Sequence, residues 1–311
     1  MTKILFFGGD RLRENAPLSS IAQYFLKKKI ETIIVTDPIH LKKPCLNGLT
    51  FKELLKKKKL KFLTFNKLNE KKIINLIDKD TFGFSINSIW KFNKNTISAF
   101  KGNFYNYHAA EISSERGAGN ISWKILQNNI RKGSINIHII DREFDTGDIV
   151  AKKKVLFLNK IKIILPSDFL NVIAEKEKIF LIDFLNKMIK KEKFKKIKQK
   201  PTSSFYWPRL NADKDGRINW AWDMKDIISF IRAFSKPYNG AFTFLRKSKI
   251  RIYNAEVDSI KNKFHPYQNG IVFRKDKKYI YVSNQKGSIK LSLADISSEG
   301  GTIKLLGKKL V

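Results

Sequence analysis

Short apolar runs alternate with amphipathic helical segments through the first 108 residues, and this alternation leaves few architectures open. ILFFG (4–8), ETIIVT (31–36), KFLTF (61–65), FGFSI (82–86) and 103–108 read as strands. Between them, 18–28, 51–55, 69–78 and 95–100 carry apolar residues at helical spacing, as Ile21, Tyr24 and Phe25 do in the first. Strands and helices in this order predict an α/β domain with a mostly parallel sheet and helices on both faces. Ligands of such sheets sit beyond the carboxyl ends of the strands.

The first such end carries Gly8-Gly9. No G-x-G-x-x-G follows, and no glycine run opens the next helix, so a nicotinamide cofactor is rejected and a tight turn is expected. The chain has 311 residues, 42% of them hydrophobic and 24 of them Phe, enough for two domains with separate cores. It contains no run of about 18 apolar residues, so no membrane span is expected. MTKILFFGGD lacks a signal-peptide pattern and reads as a first strand. Cys45 is the single cysteine, which excludes an intramolecular disulfide and a cysteine-based zinc site and suits a reducing cytoplasm. The four His residues show no ligand spacing, so no metal is expected.

A net charge of +34 suggests a polyanion partner. The make-up of that charge weakens the inference. Only 11 of the 62 basic residues are Arg, the residue best suited to bidentate phosphate recognition. Lys, Asn and Ile are all abundant, as an AT-rich coding sequence would favour. We read the excess as mainly compositional, with a selected polyanion surface as the alternative.

Pro166-Ser167 opens a long helix with Ser167 as its expected N-cap. KKEKFKKIKQK (190–200) then runs into PTSS, the best domain boundary in the chain. The first domain is expected over 1–200 and the second over 201–311. In the second, 226–234 is helical, with Ile227, Phe230, Ile231 and Phe234 on one face. The stretches 240–257, 269–284 and 287–296 read as short antiparallel strands and predict a small β-barrel-like domain, OB-like in type. Trp220 and Trp222 are expected in its core or at a domain seam.

Residues 104–148 state most about function. They read as strand, polar loop, helix, strand and acidic turn. Asn106 and His108 are two apart on the first strand and so share a face. Asp145, in the turn after the last strand, can reach the same edge. An amide, an imidazole and a carboxylate suit attack by an amine on a carbonyl: the donors stabilise the oxyanion, and acid–base groups manage the amine's proton. His138, on the last strand, is read as structural.

The ordered set Asn106, His108, Arg116-Gly117, Gly133, His138 and Asp145-Thr146-Gly147 resembles the 10-formyltetrahydrofolate-dependent formyltransferase family. That family includes methionyl-tRNA formyltransferase and amino-sugar N-formyltransferases. Asp215-Gly216, Ile218, Trp220, Arg232-Ala233, Pro237-Tyr238 and Gly240-Ala241 are similar to its C-terminal domain. The resemblance implies a Rossmann-like first domain and the catalytic set Asn106, His108 and Asp145. It also implies that 10-formyltetrahydrofolate, the formyl donor, lies along Trp90, Lys91 and Phe92 and the turn of Asp141, Arg142, Glu143, Phe144 and Asp145. Between His108 and Arg116 most relatives carry Ser-Leu-Leu-Pro, where this chain has Ala110-Glu111-Ile112-Ser113. After Gly117, tRNA-modifying members usually carry Ala-Ala-Pro-Ile; here Ala118-Gly119-Asn120-Ile121-Ser122-Trp123 looks more like the amino-sugar enzymes, some of which carry a second Arg at the position of Ala118. A nucleotide-linked amino sugar is therefore the expected acceptor and initiator Met-tRNA the alternative. A catalytically dead RNA-binding relative is disfavoured by the intact catalytic set.

Overall fold

The strands of the first sheet are apolar on both sides, as a sheet covered on both faces requires. In β1 (Lys3–Gly8), Leu5 and Phe7 face one layer and Ile4 and Phe6 the other, all fully buried. The structure is a computed structural model that describes residues 2–10, 17–45, 48–112, 114–118, 120–127, 132–156, 165–200, 205–259, 263–299 and 304–311. Ser113, Gly119 and the 201–204 part of the expected linker lie outside the described residues.

The chain forms two compact units that interleave in sequence. The first comprises Met1–Gly117, Lys132–Phe157 and Leu170–Tyr206, and the second Ala118–Arg131, Leu158–Phe169 and Trp207–Val311. In the first, β1 is followed by β2 (Glu31–Thr36), β3 (Lys61–Thr64), β4 (Thr81–Ile86), β5 (Phe104–His108), the two-residue β6 (Arg116–Gly117), β7 (Lys132–Ile139) and β8 (Ile149–Leu156). Seven of these make one sheet in the order β3-β2-β1-β4-β5-β7-β8. Strands β1 to β5 run parallel, while β7 and β8 add an antiparallel edge.

Up to Ile189 the described helices are α1 (Pro17–Lys27), α2 (Pro38–Leu41), α3 (Phe51–Lys57), α4 (Glu70–Ile74), α5 (Lys94–Ala99), α6 (Asn120–Leu126, in the second unit) and α7 (Pro166–Ile189). Phe7, Phe92, Phe100 and Phe104 form one aromatic cluster on the α4–α5 face, with centroids 4.4–6.0 Å apart. Such pairs add about 0.5–1.5 kcal/mol each beyond the area they bury. On the other face Phe84 and Tyr105 pack against Phe184 of α7.

Two sequence expectations shift. Helix α7 starts at Pro166, so Ser167 stands in its first turn and is not the cap; its N–H donates to the Lys236 carbonyl instead. Pro tolerates the first helical position because no partner is needed for its nitrogen. Helix α4 ends at Ile74, short of 78, because the chain turns into the bonds joining Asp78 and Thr81.

After the two-residue β9 (Tyr206–Trp207), the second unit holds β10 (Ala241–Leu245), β11 (Ser248–Ile252), β12 (Glu256–Val257), β13 (Val272–Lys275), β14 (Tyr279–Asn284), β15 (Gly287–Ser292) and β16 (Ile296–Ser298). They form two antiparallel sheets, β10-β11-β16 and β12-β15-β14-β13. A common core collects Val272, Val282, Ile289 and Leu291 with Ile227, Phe230, Ile231 and Phe234 of a helix over Met224–Ala233. This is a small barrel-like domain. Trp220 is buried in it, its indole N–H donating to Thr243 Oγ1 at 3.0 Å. Trp222 is exposed and meets Phe230 edge-on.

Candidate active site

Strand β5 divides its labour by parity. Phe104, Asn106 and His108 share one face, the first buried in the phenylalanine cluster. Tyr105 and Tyr107 take the other, where the Tyr107 hydroxyl donates to the buried carboxylate of Glu177 on α7. Anchored on both faces, the strand presents the Asn106 and His108 side chains at its carboxyl end.

Asp145 arrives in the turn between β7 and β8 with φ of 56°, the left-handed region that non-glycine residues rarely adopt. Its Oδ2 accepts from the Gly117 N–H at 2.9 Å and lies 3.6 Å from His108 Nδ1. Its Oδ1 accepts from Asn106 Nδ2 at 3.3 Å and lies 3.3 Å from His138 Nε2. Asn106, His108 and Asp145 thus lie together at this sheet edge. Burial alone would push the Asp145 carboxyl up; the charge of His108, the His138 ring and the Gly117 amide overturn that and hold it well below the usual carboxylate range. The carboxylate is ionised at neutral pH.

His108 Nε2 faces the Glu115 carbonyl at 2.7 Å, and a carbonyl only accepts, so this nitrogen carries a proton. The Nδ1 side faces a carboxylate. Both nitrogens meet acceptors, an arrangement the doubly protonated ring satisfies. For His138 the Ile139 carbonyl, 2.9 Å from Nδ1, obliges that nitrogen to donate. Its Nε2 then accepts from Asn106 Nδ2, 3.0 Å away, in the neutral ring, or donates to Asp145 in the charged one. Either state makes His138 part of the site. Sequence reading took it as structural and missed this. Its signal was register: Asn106 stands directly opposite His138 in the β5–β7 ladder.

Gln199 was missed altogether. From within the lysine-rich run it donates Nε2 to the carbonyls of Asp145 (2.9 Å) and Gly147 (2.7 Å). Its Oε1 accepts from Arg116 Nε and Nη2 at 3.1 and 2.7 Å.

The residues expected along the folate lie on two loops of the first unit joined by an ion pair, Lys91 Nζ to Glu143 at 2.9 Å. Phe92 is buried against Phe7 and Phe104, so its ring serves the core. Trp90 packs on the same cluster, and its buried indole N–H has no hydrogen-bond partner among the described residues. Asp141, Arg142, Glu143 and Phe144 are exposed, and Thr146 ties the turn by donating to Asp141. Past Gly117, Trp123 packs on Trp207 at 4.9 Å and donates its indole N–H to the Pro208 carbonyl. Among the described residues no group of three or more His, Cys, Asp or Glu is arranged to hold a metal ion. No described helix is long and apolar enough to cross a membrane.

Residues 212–303 match the formyl transferase C-terminal domain. Over 200 residues the chain is 29% identical to a methionyl-tRNA formyltransferase of Thermodesulfovibrio yellowstonii, covering 64% of this chain and 59% of the relative. Over 223 residues it is 29% identical to that of Coxiella burnetii, covering 70% and 68%. The fold matches the sugar 3N-formyl transferase WlaRD, solved in the presence of dTDP and 5-N-formyl-THF. There the TM-score is 0.65 at 17% identity, over 97% of this chain and 99% of that one. It also matches an N-formyltransferase of Helicobacter canadensis, solved with folinic acid and dTDP-3-aminofucose, with a TM-score of 0.68 at 17% identity over 94% and 99%. The chain thus joins a parallel sheet ending in an Asn106–His108–Asp145 cluster to a C-terminal region that matches the formyl transferase C-terminal domain, and it is similar to formyltransferases in both sequence and fold.

Proposed function

We propose that this protein moves a formyl group from 10-formyltetrahydrofolate to an amine, and that the amine belongs to a nucleotide-linked amino sugar. The observation that carries the reading is the convergence of Asn106, His108 and an ionised Asp145 at one sheet edge. When bound, the folate supplies the formyl group. Asn106 and His108 donate toward the oxygen on which charge develops, a contribution of about 10²–10³ in rate for each donor. Asp145 orients His108 and takes the amine's proton, directly or through water, while His108 would deliver a proton to the folate nitrogen that departs. We assign the catalytic work to residues 1–200 and a supporting role to 201–311, and we expect the reaction in the cytoplasm.

The donor's contacts are assigned to Trp90, Lys91 and Phe92 and to Asp141, Arg142, Glu143 and Phe144. The buried, unpartnered indole N–H of Trp90 fits a ligand acceptor, because an orphaned buried donor costs about 1–3 kcal/mol. Phe92 would contribute main chain, its ring being committed to the core.

Trp123, which follows Arg116-Gly117 in sequence and packs on Trp207, supports the amino-sugar acceptor over tRNA. Both solved structures named above are described with dTDP or a dTDP-linked sugar. The names of the sequence relatives and the charge of +34 favour the second reading, formylation of initiator Met-tRNA. The test is mass-spectrometric detection of formylated product from 10-formyltetrahydrofolate with dTDP-3-aminofucose, and separately with charged initiator tRNA. We expect product with the amino sugar, and none when His108→Ala or Asn106→Ala replaces the wild type. Product with tRNA alone overturns the acceptor assignment; full activity in either variant overturns the mechanism.

A further inference from the structure

We propose that Gln199 is a positioning residue that holds the Asp145 turn and the Gly117 donor in register. This rests on the formyltransferase reading only in that Asp145 is taken as the group whose placement matters. Most of 190–200 is exposed and lysine-rich, yet Gln199 is half-buried. The chain is pinned two residues earlier, where Ile197 and Ile149 exchange main-chain bonds of 2.9 Å.

A glutamine amide offers two donors and two acceptor lone pairs. Gln199 uses all four, two on the carbonyls of Asp145 and Gly147 and two on the Arg116 guanidinium. The partners fix the amide's orientation, since carbonyls require the NH₂ and a guanidinium requires the oxygen. The bonds close a ring. Arg116 precedes Gly117, whose N–H reaches the Asp145 carboxylate, while Gln199 holds the Asp145 carbonyl and the Arg116 side chain. One side chain thus fixes both ends of the hydrogen bond that orients Asp145. The left-handed backbone at Asp145 is of the kind that persists only where its surroundings over-determine it.

Neither neighbouring side-chain type substitutes. Glu at this position would keep Arg116 but set carboxylate oxygens against two carbonyls. Met would keep the length and lose every bond. We therefore expect Gln199→Met and Gln199→Glu to lower kcat by about 10²-fold, the cost of a misplacement near 1 Å, with acceptor KM nearly unchanged.

The readout that a merely structural role would not move is the Asp145 carboxyl itself, followed by ¹³C NMR across pH without any acceptor present. In both variants its titration should move up toward the ordinary carboxylate range. An unmoved Asp145 titration in a folded variant overturns the proposal, whether or not kcat falls. If Gln199→Met does not fold, Gln199→Glu carries the test alone. Failure of the functional reading is distinguishable, because an active Asp145→Asn enzyme would remove the catalytic assignment while leaving the NMR result standing.

Discussion

Asn106 and His138 stand opposite one another across the antiparallel β5–β7 pair, with Asn106 Nδ2 and His138 Nε2 3.0 Å apart. The contact fixes an amide whose two ends are otherwise interchangeable, and it couples Asn106 to the carboxylate that both residues share. Replacing His138 by Phe should keep the ring's bulk in a site only 2% exposed while removing its hydrogen bonds. We expect kcat to fall by about 10-fold or more, in line with the cost of leaving buried polar partners unpaired. Steady-state kinetics with the acceptor that the wild type formylates check this. Wild-type kcat in a folded His138→Phe enzyme would return His138 to a packing role.

Asp145 is held below the usual range, so the sign of its pH linkage is fixed. A depressed folded value contributes stability that is fully present above the unfolded value of about 3.9 and is lost as pH falls through the lower folded value. Asp145 therefore stays ionised at every pH above about 4, and protonation of Asp145 accounts for no acid-side loss of rate above that pH. Asp145→Asn keeps the shape but cannot take a proton or carry charge. Its rate should drop while folate binding, followed by tryptophan fluorescence with folinic acid, is retained. An equal loss of folate affinity and rate would make Asp145 a binding residue.

The scaffold was legible in the sequence because its strands and helices carry separate periodicities. The continuous apolar run Ile4, Leu5, Phe6 and Phe7, short and closed by Gly8-Gly9, fits a strand covered on both sides, and all four residues are fully buried. Asn106, His108 and Asp145 were legible as a spacing within one αβ unit. His138 and Gln199 were not, for different physical reasons. His138 enters through register, which fixes the partner across the ladder and is invisible along one strand. Gln199 enters from 54 residues away through contacts to two backbone carbonyls, and no residue pattern marks a carbonyl as a partner. The surrounding lysines further disguised it as part of a solvated linker.

Gly147 has no room for a side chain. A Cβ there would lie 1.9 Å from the Ile139 carbonyl oxygen, which is backbone and cannot swing aside. Gly147→Ala must displace the turn that carries Asp145 and that Gln199 grips. We expect a stability loss of about 1–3 kcal/mol, typical of overpacking, and a fall in kcat. Denaturant melts and kinetics on the same preparation check it; an unaltered kcat would mean that the turn tolerates movement.

Cys45 is 3% exposed, and burial together with the charge of nearby Asp10 pushes its thiol up to about 12. The thiolate is the reactive species. At pH 8 the native protein should therefore leave Ellman's reagent uncoloured, and one thiol per chain should appear on denaturation. Rapid colour from the native protein would place the residue at an accessible surface.

The lysine excess separates the two acceptor readings. If the charge of +34 is mainly compositional, tRNA binding should be nonspecific, with initiator and elongator tRNAs competing equally. Each neutralised duplex phosphate adds about −0.9 to the slope of log affinity against log salt, so such binding weakens steeply toward physiological salt. A tRNA-specific enzyme would instead formylate charged initiator tRNA in preference to elongator tRNA at physiological salt. Filter binding across a salt series, paired with formylation assays on both tRNAs, gives the comparison. We expect equal competition and a steep slope, because Arg supplies only 11 of the 62 basic residues and Lys binds phosphate as a point charge without bidentate geometry. Selective formylation of initiator Met-tRNA would overturn the amino-sugar acceptor and make the basic surface part of the enzyme's recognition of its substrate.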